Sequence, residues 1–202
     1  MGLHKKTPLI WSVTIFVTCC FFFALFIVLW GVRQTDKTPV SFTLNDHNGE
    51  VYQSNNEQRY KLVLFGFTNC PDVCPTGIKN MHDAMEQAGP LGKHIRPLFI
   101  TIDPDRDSPE VIQAYLHNFH PSFLGLTGST EELETVQNNF KVYAKKVQPP
   151  DYDEYTMDHS AHIYLLDKDD IIIDVFDYRM NTSKMVQSIM SKMHYPEDEV
   201  IR

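Results

Sequence analysis

The chain has 202 residues, 43% of them hydrophobic and 22% charged, with a formal net charge of −8. That acidic balance disfavours a nucleic-acid partner, and four cysteines are too few and too clustered for a disulfide scaffold.

The first predicted element is a membrane anchor. No charged residue lies between Lys6 and Arg33. As a helix, Leu9 to Trp30 would span about 33 Å at about 1.5 Å per residue, enough for a hydrocarbon core of about 30 Å. The run is longer than a cleaved signal-peptide core and ends Ile27-Val28-Leu29-Trp30-Gly31-Val32, without a small-residue cleavage site. Lys5 and Lys6 place the N-terminus in the cytoplasm, although Arg33 and Lys37 on the far side weaken the charge argument. Myristoylation fails because Lys6 stands where Ser or Thr is needed, and Cys19 after Phe16-Val17-Thr18 makes a poor lipoprotein site. Cys19 and Cys20 read as small apolar residues of the anchor. The expected organisation is a cytoplasmic stretch 1–8, the anchor 9–30, a polar tether 31–39, one domain 40–194 and a loose tail 195–202. All 26 acidic residues lie beyond the anchor, against 16 Lys and Arg.

Beyond the tether, Phe42-Thr43-Leu44 and Val51-Tyr52 flank Asn48-Gly49, a hairpin turn signal. Tyr60 to Phe67 is a short apolar run that fits a buried strand. From Pro75 a helix is expected, with Ile78, Met81, His82 and Met85 at helical spacing and a stop at Gly89-Pro90. Arg96 to Ile102 is the next strand. Pro109 opens a second helix, capped by Asp107 or Ser108 and running to about Phe119. Ser129 and Glu132 form a capping box for a third helix through Phe140. Tyr143 to Val147, His162 to Leu166 and Ile171 to Phe176 read as strands, the last two joined by the turn Asp167-Lys168-Asp169-Asp170. Thr182 to Met193 is a terminal amphipathic helix. The order fits a thioredoxin-like α/β sandwich with an N-terminal β-hairpin, preceded by one transmembrane helix.

The chemistry concentrates in Gly66-Phe67-Thr68-Asn69-Cys70-Pro71-Asp72-Val73-Cys74-Pro75. Cys70 and Cys74 lie where a strand gives way to a helix, and a helix N-terminus lowers a thiol pKa. A spacing of i, i+4 on a helical turn puts both sulfurs on one side. Such a pair can share a proton, a disulfide or a soft metal ion. An inert surface disulfide is the plain alternative, but so short a loop gains little stability from cross-linking.

Two thiolates favour Cu(I) or zinc, which raises the question of a third ligand. Of nine histidines, His4 is expected in the cytoplasm and His194 at the end of the domain. His47 reads as solvated in the hairpin turn. His82 sits on the first helix as a core or surface residue, and His94 in a loop. His117 and His120 lie near a helix end, where a cation complements the dipole. That leaves His159 and His162 in Asp158-His159-Ser160-Ala161-His162. His159 is expected in the loop feeding a core strand, beside the cysteine turn, with Asp158 able to orient it. The pair His159-x-x-His162 would also suit zinc, but no carboxylate stands at suitable spacing.

Asp103-Pro104-Asp105-Arg106-Asp107 resembles a calcium loop and fails as one, with Ser108 at position six and Ala114 at position twelve. It reads as a strand-to-helix loop with capping carboxylates and an internal Arg106 pair.

With these segments in hand, the chain resembles the Sco/SenC family of copper chaperones for cytochrome c oxidase. The cysteine turn, the segment Thr101-Ile102-Asp103-Pro104-Asp105-Arg106-Asp107 and Asp158-His159-Ser160 recur in the family's order, with 85 residues from Cys74 to His159. The likeness covers roughly residues 38 to 193. The acidic run Gln148 to Glu154 does not align residue by residue, and no family role passes to His162. The resemblance implies copper, as Cu(I) or Cu(II), bound by Cys70, Cys74 and His159. It implies delivery to the CuA site of cytochrome c oxidase subunit II, with a linked reduction of a disulfide in that acceptor. The upstream copper donor stays unidentified. The implied location is the inner (cytoplasmic) membrane, single-pass, with the soluble domain in the periplasm. No Arg-rich, Ser-rich transit peptide precedes the anchor.

A periplasmic thiol-disulfide oxidoreductase that uses the pair without metal is the alternative, and His159 tips the balance towards copper. A peroxiredoxin is disfavoured because Phe67 stands where those enzymes place a hydroxyl residue three before the cysteine.

Overall fold

The computed structural model describes residues 38–150 and 153–193, together with Ile15, Thr18 and residues 21–23. Those last five are helical, and the Thr18 hydroxyl donates to the Ile15 carbonyl at 2.9 Å. No helix among the described residues is long and apolar enough to cross a membrane. The rest of the expected anchor 9–30, most of the tether and the tail 195–202 lie outside the described residues. The chain divides into units 1–38 and 39–202, and the second carries the architecture below.

Strands β1 (Thr43–Asp46) and β2 (Val51–Gln53) pair antiparallel as the expected hairpin. Gly49 takes φ +84° in its turn, a conformation that costs a glycine little. The Asp46 carboxylate accepts from the backbone N–H groups of Asn48 and Glu50 at 2.8 and 2.9 Å, holding the turn from within.

Strand β3 (Tyr60–Gly66) is buried along its whole length and runs parallel to β4 (Ile95–Thr101). Helix α1 (Val73–Gln87) makes the crossover between them, followed by a 3-10 turn at Gly89–His94. Strands covered on both faces read as continuous apolar runs rather than alternating ones, which is why Tyr60 to Gly66 and Ile95 to Thr101 stand out in the sequence. Helix α2 (Pro109–His117) follows, capped by Ser108, whose hydroxyl accepts from the Val111 N–H at 3.4 Å.

After strand β5 (Leu124–Thr127) comes helix α3 (Thr130–Asn139), which opens with the expected capping box of Ser129 and Glu132. Strands β6 (Ala144–Val147) and β7 (Thr156–His159) form a separate antiparallel ribbon. Strands β8 (His162–Leu166) and β9 (Ile172–Asp177) pair as the second hairpin, and helix α4 (Thr182–Lys192) closes the unit. The main sheet has seven strands in the order β2-β1-β5-β4-β3-β8-β9. Leu62, Val63, Leu64 and Phe65 of β3, Leu98, Phe99 and Ile100 of β4, and Ile78 and Met81 of α1 form its centre. Each such side chain contributes about 1.5–3 kcal/mol on burial.

Two strands were not expected. In β5, Gly125 reads as a breaker, but helix α2 lies so close that a Cβ there would collide with the Ile112 side chain; the glycine admits the helix. In β7, Thr156 to His159 is half-buried to exposed and pairs only with β6, so it lacks the apolar pattern of a core strand. His159 is therefore the last residue of a strand, not part of a loop. The Asp107 side chain is also not a helix cap: it is buried and tied to Thr68 and Thr101.

Candidate metal centre

The cysteine turn begins where β3 ends. Residues 67–72 bridge to the first residue of α1, Val73, so Cys70 precedes the helix and Cys74 lies in its first turn. The i, i+4 pair is thus not on one continuous helix. Asp72 holds the N-cap position but its side chain makes no capping bond. The free N–H of Cys74 instead points to Cys70 Sγ at 3.4 Å, so a sulfur occupies the place usually taken by a capping oxygen. Gly66 lets the two come together. A Cβ on Gly66 would stand 2.7 Å from Cys74 Sγ and 2.9 Å from the Phe99 ring.

The third member arrives on β7. The ligating atoms of Cys70, Cys74 and His159 all lie within 4.8 Å of one another, and Cys74 Sγ is 3.8 Å from His159 Nε2. His159 Nδ1 lies 2.9 Å from the Ser160 carbonyl oxygen. A carbonyl only accepts, so Nδ1 carries a proton, and Nε2 is the nitrogen turned to the sulfurs. Such a bond to the far nitrogen orients a ligating imidazole. Cys70 and Cys74 are free thiols, and Cys70 and His159 line a groove of about 210 Å³ with Phe67, Pro71, Val73, Met157 and Asp158; Cys74 lies buried beneath it.

The two sulfurs differ electrostatically. The hydrogen bond from the Cys74 thiol outweighs burial, which acts upwards, and holds Cys70 down at about 4, helped by His159 and by the backbone N–H groups of Cys74 and Asp72. Cys74 is pushed far up by the same hydrogen bond, by burial and by the charge on Cys70. One proton is therefore shared by two sulfurs in the metal-free state, and a soft ion that replaces it finds both sulfurs already facing one point.

Around this centre, the sequence segments singled out as a failed calcium loop act as a brace. The Phe67 ring stands edge-on to His159, centroids 5.8 Å apart. The Arg106 guanidinium lies 3.8 Å from the Tyr155 ring centroid and 5.8 Å from that of Phe67. Arg106 also donates to Asp103 at 2.6 Å and to the Tyr155 carbonyl at 2.9 Å, and the Tyr155 hydroxyl donates to Asp103 at 2.9 Å. The Arg106 pair expected from the sequence is present, but it holds the ribbon that carries His159. Asp107 accepts from the Thr68 hydroxyl and the Thr101 hydroxyl, both at 2.6 Å, and from the Thr68 N–H at 3.1 Å. It fixes the start of the cysteine turn, and burial raises its pKa. Phe67, Tyr155 and Ser160 were not singled out in the sequence; Phe67 and Ser160 lie in segments that were.

His162 joins neither group of metal-capable side chains among the described residues; it is exposed at the start of β8, across from Asp177. Asp158 is exposed and faces Lys145 across the ribbon, with no bond to the His159 ring. His47, expected to be solvated, is half-buried and accepts from the Gly125 N–H at 3.0 Å.

Comparison with known proteins gives the same pattern of likeness over the whole second unit. The profile of the SCO1/SenC family matches residues 31–194. An SCO2-like protein of Rickettsia typhi is 38% identical over 162 residues, 79% of this chain and 80% of that one. Matches to three further rickettsial relatives are shorter, 62–63% of each of those proteins. Among solved structures, copper-bound ScoI of Bradyrhizobium japonicum is 34% identical with a TM-score of 0.68, covering 76% of this chain and 98% of that one. Copper-bound yeast Sco1 is 33% identical with a TM-score of 0.65, covering 79% and 91%. A family profile that spans most of the chain, and relatives identical at a third or more of the aligned positions, have one consequence: this chain belongs to the SCO1/SenC family.

Proposed function

We propose that the chain is a copper metallochaperone whose cargo is held by Cys70, Cys74 and His159. The observation that carries this reading is the convergence of two sulfurs and one imidazole nitrogen within 4.8 Å, with the ring already held by the Ser160 carbonyl. Two soft thiolates and one imidazole suit Cu(I) in a low-coordinate site. The copper carried by the Bradyrhizobium and yeast relatives supports the same cargo here. The acceptor is the CuA site of cytochrome c oxidase subunit II, reached by ligand exchange between thiolates. The apolar run 9–30 anchors the chain in the inner membrane with the domain in the periplasm, where it stays near a membrane-embedded client.

A full-length chain in detergent, reduced and titrated with copper, is expected to take up one ion. His159→Ala should keep the fold and lose affinity by more than the roughly 10- to 100-fold that loss of a group merely orienting a ligand costs. Equal copper affinity in His159→Ala and the parent would reject the three-ligand site.

The asymmetry of the two thiols supports a second reading, a thiol-disulfide oxidoreductase. The Cys70 thiolate attacks a substrate disulfide, the Cys74 thiol loses its proton and closes the Cys70–Cys74 bond, and two electrons leave with the reduced substrate. Rapid reduction of a small disulfide reagent by the copper-free chain, with no copper uptake, would favour this reading over the first.

A further inference from the structure

Far from the thiols, helix α1 carries a second set of ligating side chains. His82 and Glu86 are four residues apart on that helix and so share a face. His120, from the connection between α2 and β5, brings its ring alongside His82, with centroids 4.9 Å apart and planes 25° from parallel. Ligating atoms of all three residues lie within 4.8 Å of one another. The histidines are half-buried and Glu86 is exposed. Eight residues along the helix from Cys74, His82 lies about 12 Å further down its axis at about 1.5 Å per residue, so the two sets do not merge.

We infer that His82, Glu86 and His120 form a second metal site that takes a divalent ion of intermediate softness, zinc or copper(II), rather than Cu(I). Two imidazoles and one carboxylate, without sulfur, are the donor set such ions accept, with a fourth position left for water. The tetrahedral zinc geometry would draw the three atoms in by about 1 Å from their present limit, given metal–ligand bonds of about 2.0–2.2 Å. Glu86 is exposed and able to turn, and its carboxylate makes no hydrogen bond or ion pair among the described residues. His120 is already oriented from behind. Ser122 Oγ lies 2.8 Å from its Nδ1 and the Ser122 N–H 3.2 Å. In the metal-free chain Nδ1 accepts from the Ser122 N–H, so binding at Nε2 moves the proton to Nδ1, where the Ser122 hydroxyl oxygen accepts it and the N–H bond is given up. The ion would tie α1 to the α2–β5 connection, joining two parts of the chain that nothing covalent links nearby.

The test is zinc binding by the full-length chain in detergent, followed calorimetrically with zinc chloride alone. Because zinc also binds thiolates, the titration is made on Cys70→Ser/Cys74→Ser. One zinc per chain is expected there, with affinity falling about tenfold or more in a further His120→Ala or His82→Ala and less in Glu86→Gln. If the serine variant does not fold, the parent chain serves instead: two zinc ions are expected, falling to one in His120→Ala. No zinc uptake by the folded serine variant, a single zinc in the parent, or affinity unchanged by His82→Ala and His120→Ala overturns the site.

Discussion

Cys74 Sγ lies under the end of β3 at the point a side chain on Gly66 would fill, 2.7 Å from the position of its Cβ. The sulfur and the backbone of Gly66 share one space, and the Phe99 ring, 2.9 Å from the same position, closes the other side. Gly66→Ala must therefore move the sulfur, the ring or the strand. Overpacking of this kind costs about 1–3 kcal/mol. A lower denaturant midpoint together with weaker copper binding is the expected outcome. Unchanged copper affinity at reduced stability would show that the sulfur is free to shift without consequence for the centre.

Titration of the reduced, metal-free chain should resolve the two thiols. The Cys74 hydrogen bond, more than any other contact, holds Cys70 at about 4, so one thiolate is expected by ultraviolet absorbance at neutral pH, fading only as the pH falls through that value. Cys74, raised by the same bond, should stay protonated well into the alkaline range. His159→Ala, which removes a minor contributor, should move the Cys70 midpoint upwards without restoring it to the free-thiol value of about 8.5. Two thiols ionising together near that value would contradict the arrangement.

Arg106 holds the ribbon that carries His159 without bonding to Cys70, Cys74 or His159. It spans Asp103, the Tyr155 carbonyl and the Tyr155 ring. Arg106→Lys keeps the charge but not the planar fork. Copper affinity is expected to fall by about tenfold, the lower end for groups that orient ligands, while copper stoichiometry stays at one. Thermal unfolding should shift only modestly, since the Arg106 side chain keeps 23% of its surface exposed and lysine retains the charge. A change in stability with copper affinity unaltered would make Arg106 a structural residue only.

The sequence showed most of what the sheet centre and the site required, for identifiable reasons. Tyr60 to Gly66 and Ile95 to Thr101 lie at the centre of the sheet, so each carries an apolar stretch, Leu62 to Phe65 and Leu98 to Ile100, interrupted only near its start by Lys61 or Arg96. Ser129 and Glu132 cap α3 through contacts within one turn, which adjacency in sequence reveals. Cys70 and Cys74 stood out by residue type and spacing, His159 remained a candidate beside His162, and the set of three came from the family resemblance. The details that decide what they do were hidden. Strand β7 is polar because it pairs with β6 alone, and Gly125 conceals a strand because its missing side chain serves a helix far away in sequence. Asp107 looks like a cap from its position before Pro109, and only the folded chain brings Thr68 to it. The stacking of His82 on His120 likewise joins a helix face to a distant connection, which no local pattern announces.

At the other end of β3, the fold depends on a buried charge. Lys61 Nζ donates to Asp170 Oδ1 at 2.6 Å, both side chains being wholly buried, and reaches the carbonyls of Asp167 and Lys168 at 3.4 Å. Ser54 completes the group, donating to Asp170 Oδ2 at 2.7 Å while accepting from the Phe42 N–H at 2.9 Å. Asp170 also takes φ +60° in the β8–β9 turn, where Asn is tolerated almost as well. Asp170→Asn keeps that conformation and the side-chain size but leaves the ammonium without its counter-charge. Removing one partner of a buried pair costs about 3–5 kcal/mol, so the chain should unfold at clearly lower denaturant. Lys61→Met in the same chain removes the stranded charge and should recover much of that loss. If the double variant is as unstable as Asp170→Asn alone, the cost lies in the turn and the hydrogen bonds of Ser54, not in the unpaired ammonium.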